Sequence, residues 1–491
     1  MSSTPATGFF GHPRGLSTLC FKELWERFGY YGVRALLILF MTAGVEAGGL
    51  GLEDSAAYGI YGLYTAAVYL LSLPGGWVAD RLLGQQRAVL YGGMVIAAGY
   101  LMLAVPDRTV FFSGLVVVAI GTGLLKPNIS TIVGQLYTPE DRRRDSGFSI
   151  FYMGINLGAL LAPLVCGPVG TGVNWQLGFA LAGIGMAAGV VTFAAGRPKL
   201  GGAGLHPAPA SSPEEAARTR AYLRNGIAVL AAAPLLLAAV HLTGVVTLTV
   251  AGLVDGAGFL LLLAVIVLFG WMFLGAEWTP EERKRLAVIA VLFFASSLFW
   301  SAFEQAGSSL NIFAARFTDN ELFGVSVSAT VYQSLNPLYI ILLAPVFAWL
   351  WIRMGSRQPS SPAKFALALM LVGLGFVVMY IAAIKAGPGG KVSPLWLTSC
   401  FVLHTMGELC LSPVGLSAFT KLAPARVAGL MMGVWFLSIS TGNYLGGRLA
   451  AFYGDMPIQE LFQTTAAFAI AAAVVMAAAA KPVARLMGSL R

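Results

Sequence analysis

Glu23-Leu24-Trp25-Glu26-Arg27-Phe28-Gly29-Tyr30-Tyr31-Gly32-Val33-Arg34 runs directly into Ala35-Leu36-Leu37-Ile38-Leu39-Phe40-Met41. The apolar run marks a membrane helix, and the four ionisable residues ahead of Ala35 enter it with the chain. Glu23, Glu26, Arg27, Tyr30 and Arg34 recur at helical spacing, so they share one face. Charge at membrane depth is costly and normally faces a partner or a water-filled cavity inside the protein. The alternative, an interfacial patch whose long side chains snorkel to the headgroups, has to be weighed against that cost. The stripe reads as the lining of a transport path.

The rest of the chain agrees with a membrane setting. Of 491 residues, 57% are hydrophobic and 11% charged, and the mean hydropathy is +0.77. Those values exclude a soluble globular protein and predict a multi-pass helical membrane protein. A cleavable leader is not expected, because charges interrupt the first apolar run. Cys20, Cys166, Cys400 and Cys410 have neither metal-ligand spacing nor a disulfide framework and read as packing residues.

A span needs about 20 mostly apolar residues. Such runs predict fourteen transmembrane helices, centred roughly on residues 33, 68, 96, 123, 155, 185, 233, 264, 297, 337, 374, 407, 438 and 470. Ala88–Pro106, Leu177–Ala195, Gly256–Ala276, Leu322–Ile352 and Leu461–Ala480 contain no charge and read as lipid-facing or structural.

Lys and Arg in the connections set the orientation. Arg14, Lys22, Arg81, Arg87, Arg142–Arg144, Arg197–Arg224, Arg283–Arg285, Arg353, Arg357, Lys364, Lys421, Arg426 and Lys481–Arg491 fall on one side. Arg108, Arg316, Lys385 and Lys391 fall on the other, with Arg448 near a boundary. Both termini are therefore expected in the cytoplasm, across a bacterial cytoplasmic (inner) membrane. The polar stretch Arg197–Arg224 reads as a cytoplasmic linker. The hairpin after it, with Asp255 expected in its turn, lacks ionisable residues in its spans and is given a peripheral role. The expected division is 1–196, a six-helix bundle; 197–280, linker and extra hairpin; and 281–491, a second six-helix bundle. The bundles echo each other: Gly121 and Pro127 match Gly407 and Pro413, while Pro74 and Gly84 match Pro345 and Gly355. Duplicated bundles rocking about a central site fit that echo.

Gly76-Trp77-Val78-Ala79-Asp80-Arg81-Leu82-Leu83-Gly84-Gln85-Gln86-Arg87 resembles the loop motif of the major facilitator superfamily between helices two and three. Within that superfamily, Glu23-x-x-Glu26-Arg27-Phe28-x-Tyr30-Tyr31 resembles the first-helix signature of the proton-dependent oligopeptide transporter family. Phe151-Tyr152-Met153-Gly154-Ile155-Asn156-Leu157-Gly158 resembles its fifth-helix signature. Lys126-Pro127-Asn128, Phe299-Trp300 with Glu304-Gln305, Ser334-Leu335-Asn336-Pro337, Gly407-Glu408 with Ser412-Pro413, and Trp435-Phe436 extend the likeness over the whole chain. The resemblance implies a major facilitator fold, two six-helix bundles plus the extra hairpin, and import of di- and tripeptides with protons.

A short peptide carries an ammonium, a carboxylate and amides between them. Stripping water from both ends demands fixed opposite charges in the carrier. The in-span inventory supplies Arg34 and Lys126 in the first half and Glu304 and Glu408 in the second. By resemblance, Arg34 and Lys126 face the substrate carboxylate and Glu408 its amino group. Asn156, Asn336 and Ser412 can hydrogen-bond the peptide. Tyr30, Tyr31, Tyr69, Trp300 and Trp435 would wall pockets for varied side chains. Glu23, Glu26, Arg27, Lys126 and Glu304 are the expected proton-coupling set. The expected exchange has Glu23 or Glu26 trading Lys126 for a proton, while an Arg34–Glu304 pair closes the outer side.

Animal members carry a histidine in the second helix, near the place of Gly62 here. This chain has none in that helix, so carboxylates must carry the proton. Of its four histidines, His404, four residues before Glu408, is the one expected in a cavity helix. A monomer that uses no cofactor but the proton, in a lipid bilayer and without nucleic acid, completes the expectation. A same-fold carrier of nitrate, an amino-acid conjugate or a peptide-like drug is the alternative; a sensor has no room for a soluble domain. Neither a hydrolase triad, a His-Glu-x-x-His motif nor a Walker loop is present, and no enzyme is expected.

Overall fold

The computed structural model describes residues 7–138, 141, 143–207, 212–243, 249–275, 277–322, 324–424, 428–454 and 456–488. Among the described residues, fourteen helical rods run back and forth. The first six are α1 Gly15–Thr42, α2 Asp54–Leu83, α3 Gln85–Leu103, α4 Arg108–Gln135, α5 Arg144–Gly172 and α6 Trp175–Gly196. The pair α7 Pro213–Leu242 and α8 Val250–Leu274 follows. The last six are α9 Pro280–Phe317, α10 Leu335–Met354, α11 Ser361–Ala386, α12 Leu395–Leu422, α13 Ala428–Phe452 and α14 Ile458–Leu486. An even number of rods leaves the start of α1 and the end of α14 at one end of the molecule, the terminal end, opposite the far end.

Local chemistry sets where rods begin and break. Asp107 caps α4 by accepting from the Val110 N–H, and Asn174 caps α6 by accepting from Gln176 and Leu177. Thr279 and Glu282 cap α9 reciprocally with Pro280 just inside it, the arrangement that satisfies otherwise orphaned N–H groups. Outside the spans, hydrogen bonds from the Arg143 side chain and backbone hold the Asp141 carboxyl down at about 2, just before α5. Two rods are interrupted. α2 loosens into a π turn over Ala79–Leu83, and α9 passes through a 3-10 turn at Glu304–Gly307.

Small residues bring the rods close. Gly62 on α2 lies so near α13 that a Cβ there would sit 2.6 Å from the Gly447 Cα. All four cysteines are free and buried, as packing residues should be.

Four expectations need correction. The linker is shorter than its composition suggests: Pro213 already starts α7, with Glu214 and Glu215 in the first turn. The stretch before it docks on the first half, where Gln86 donates to the Ala203 and Gly201 carbonyls, and Glu215 of α7 itself pairs with Arg81. Asp255 lies in α8, not in a turn, and pairs with Arg448 on α13 at 2.9 Å. The uncharged run Leu322–Ile352 is not one lipid-facing span. It starts as a two-residue strand ladder between Glu321–Leu322 and Val325–Ser326, tightens to a 3-10 turn at Ala329–Ser334, and becomes α10 only at Leu335. Finally, Lys22 is not a connection residue but lies within α1, fully buried. Arg142, Arg426 and Arg491 fall outside the described residues.

Candidate binding site and charge cluster

The site begins on α1, whose inward face carries Glu23, Glu26, Arg27, Tyr30 and Arg34, all buried. Helical spacing puts the Arg27 Nε 3.2 Å from Glu23 Oε1 and 2.5 Å from Glu26 Oε2, so one guanidinium serves two carboxylates. Its plane lies 5.3 Å from the Tyr30 ring centre. Each acid still keeps one buried oxygen without a hydrogen-bond partner, as does the Tyr30 hydroxyl. Unpaired buried polar atoms are costly.

Lys126, on α4, sets its ammonium 3.4 Å above the centre of the Tyr69 ring. It lies within electrostatic reach of the like-charged Arg27 and of Glu23, Glu26 and Glu304, but makes no ion pair with these three acids in this structure. The cation–π contact is a modest attraction that leaves the lysine free to exchange partners.

Nearer the far end, Arg34 crosses to the second half. Its Nη2 meets Glu304 Oε2 at 2.9 Å, and its Nε donates to the Tyr61 hydroxyl at 2.9 Å. Glu304 opens the 3-10 turn of α9, so the interruption in the rod is what aims the carboxylate at Arg34. Gly307 is required beside it, since a Cβ would collide with the Tyr61 hydroxyl and the Arg34 Nε. Around this pair the halves are joined by Asn311 donating to the Ala35 carbonyl at 2.8 Å and Ser334 to the Leu160 carbonyl at 2.7 Å. At the rim Arg316 forks onto Asp54 at 2.6 and 2.8 Å. This set links the two halves at the far end.

Glu408 of α12 accepts a hydrogen bond from Asn336 at 2.9 Å, and Asn336 also donates to Thr405. Glu408 is within electrostatic reach of Glu304 and Arg34, and Tyr31 within reach of Arg27, Arg34, Glu304 and Glu408. Tyr31, Tyr69, Lys126, Asn336, Glu408 and Ser412 all keep partial exposure at mid-span. The structure therefore brings the first-half cations and second-half carboxylates into one neighbourhood. Trp300 is buried with an unpartnered indole N–H. Trp435 is buried edge-on against Phe419, at a ring separation of 5.3 Å, so packing accounts for it. Asn156 donates to the Tyr152 carbonyl of its own helix. Ser412 leaves its hydroxyl unpartnered.

Sequence reasoning missed Tyr61, Thr405 and Tyr152, the last within electrostatic reach of Glu408 and Tyr31. Tyr58, Tyr61 and Tyr64 recur every third residue in α2, a pattern that could have exposed Tyr61. His404 turns away from the charges: its ring lies 5.0 Å from Phe376, with Cys400 Sγ at 3.4 Å from its Nε2. It is a packed histidine.

The chain matches the POT family over residues 86–468. It is 40% identical over 493 residues to the peptide transporter YePEPT of Yersinia enterocolitica, covering 98% of this chain and 96% of the relative. With the di-/tripeptide transporter of Lactococcus lactis it shares 37% identity over 515 residues, 98% of each chain. A crystal structure of a peptide transporter in complex with sulfate superposes with a TM-score of 0.93 at 44% identity, covering 99% of this chain and 98% of the other.

Proposed function

The chain belongs to the POT family, and from that premise we propose that it is a proton-coupled symporter that imports di- and tripeptides by alternating access. The fold is that of the major facilitator type, an all-α protein embedded in the membrane. The division into 1–196, 197–280 and 281–491, the cytoplasmic placing of both termini and residence in the bacterial inner membrane as a monomer belong to the same proposal. The excess of basic residues at the terminal end supports that orientation.

One observation carries the reading. Arg34 and Lys126 on the first half and Glu304 and Glu408 on the second converge at mid-span around partly exposed Tyr31 and Tyr69. A zwitterion whose carboxylate meets the cations and whose ammonium meets Glu408 bridges the halves and favours the state in which they close on it. Asn336 holds the Glu408 carboxylate in place. Tyr30, Tyr31, Tyr69 and Trp300 accept varied side chains without fixed hydrogen bonds, with Asn156 and Ser412 available to the peptide itself, whereas Trp435 packs against Phe419.

Coupling rests on Glu23, Glu26 and Arg27. While Arg27 holds both acids, neither needs a proton; drawing Lys126 toward the substrate carboxylate weakens the positive field at the acids, and a proton replaces it. In the same cycle, substrate charge competes for Arg34 and loosens the Arg34–Glu304 pair that closes the far end. The proton is the coupling ion, and the transport reading requires no other cofactor and no catalysis.

The test is uptake of labelled dialanine into proteoliposomes. Accumulation driven by an inward proton gradient, competed by unlabelled di- and tripeptides and not by alanine, is the expected result. Uptake indifferent to the gradient and to a protonophore would leave a facilitator instead.

A further inference from the structure

Lys22 is the one charged residue of α1 that the site as described does not use. It is fully buried, one residue before Glu23 and one helical turn before Glu26. Its ammonium points away from those acids into a slot between α3 and α6. There its hydrogen-bond acceptor is the Met186 sulfur at 3.6 Å, and a Cβ on Gly93 would come within 3.1 Å of Nζ. A thioether is a weak acceptor, so the contact offsets little of what it costs to bury an ammonium. No carboxylate lies within ion-pair distance of Nζ among the described residues, but Glu23, Glu26 and Arg27 lie within electrostatic reach.

The charge balance gives the lysine a role. Glu23 and Glu26 are already matched by Arg27 and Lys126. Lys22 makes the cluster net positive, a condition that favours ionised acids and resists an added proton. The other groups facing the cluster are Cys20, Tyr30 and Tyr31 on α1, Tyr64 and Tyr69 on α2, Tyr100 on α3, Lys126 on α4 and Glu304 on α9. α5 meets this part of α1 through Gly154 and Gly158, and α6 through Gly185, Met186 and Gly189, none of them ionisable.

We propose that Lys22 is a positioning residue for proton coupling: a buried cation, set behind the Glu23–Glu26–Arg27 cluster, that lowers the pH at which the cluster loads its proton. This rests on the reading of the chain as a proton symporter. The slot explains why an unbranched side chain is needed, since Gly93 and Gly189 leave room for a narrow stem alone.

The experiment is the dependence of dialanine uptake on external pH in proteoliposomes, for wild type and for Lys22→Met. Methionine fills the slot without charge. The expected result is a midpoint displaced to higher pH by about one unit, the size of a partly screened charge at this range, with gradient-independent peptide exchange retained. Lys22→Gln gives a second reading if the methionine variant does not reach the membrane. Met186→Glu, which sets a carboxylate on the ammonium and leaves Lys22 in place, is expected to displace the profile in the same direction. A folded variant with the wild-type midpoint would overturn the role of Lys22 while leaving symport intact. Wild-type uptake with no response to the proton gradient would overturn symport, and the role of Lys22 with it.

Discussion

Arg34 joins the two halves, and in the proposed function it also faces the carboxylate of the cargo. Its guanidinium reaches Glu304 through Nη2 and Tyr61 through Nε, which a point-charged ammonium cannot reproduce. Arg34→Lys is therefore expected to keep the protein folded and the charge in place, yet reduce proton-driven dialanine uptake at least about tenfold, roughly 1.4 kcal/mol. Measured initial rates equal to wild type would deny the pair its role. Arg34, Glu304, Glu408 and Lys126 were legible in the sequence because charge within an apolar run has few bland explanations. Tyr61 and Thr405 were not, because tyrosine and threonine pack in any helix, and only the fold puts them against Arg34 and Asn336. Lys22 was misplaced for a related reason. Counting basic residues assigns sides from chain position and takes no account of how deep a side chain turns.

The element that sets the site is the seam of α2 and α13, where Gly62 and Gly447 meet almost backbone to backbone. The absence of a histidine near Gly62 has a physical reason here, since even a methyl group would press on the Gly447 Cα at 2.6 Å. Gly62→Ala is expected to force the rods apart, costing about 1–3 kcal/mol as overpacking does. It should lower the melting temperature of the purified protein and slow transport; an unchanged melting temperature would show that the seam yields freely. The matched turns in the two halves were readable, and Gly84 and Gly355 both take positive φ, at 79° and 49°. The interruption of α9 at Glu304 was not readable, because Phe303-Glu304-Gln305-Ala306 holds neither proline nor glycine. Gly307 follows it, and glycine is too common in membrane helices to mark a break. The start of α7 was hidden by composition: Pro-, Ala- and charge-rich sequence suits a linker and a solvated helix equally.

For the whole molecule, the number of rods among the described residues followed from hydropathy, since lipid tolerates few other solutions. How the halves lean on each other did not. The far-end joints, Asn311 to Ala35, Ser334 to Leu160 and Arg316 to Asp54, are ordinary polar residues whose partners lie in the other half of the chain. The hairpin is tied in as well, by Asp255 to Arg448. These joints tie the halves together at the far end, and in the proposed function the cations of one half and the carboxylates of the other receive a doubly charged cargo. The most direct test compares dialanine with N-acetyl-dialanine and dialanine amide as competitors of labelled dialanine binding to the purified protein. Blocking either end is expected to weaken competition at least about tenfold, because each terminus then abandons a buried charge, as in a truncated ion pair. Equal competition by all three would contradict the bridging of the halves by a zwitterion.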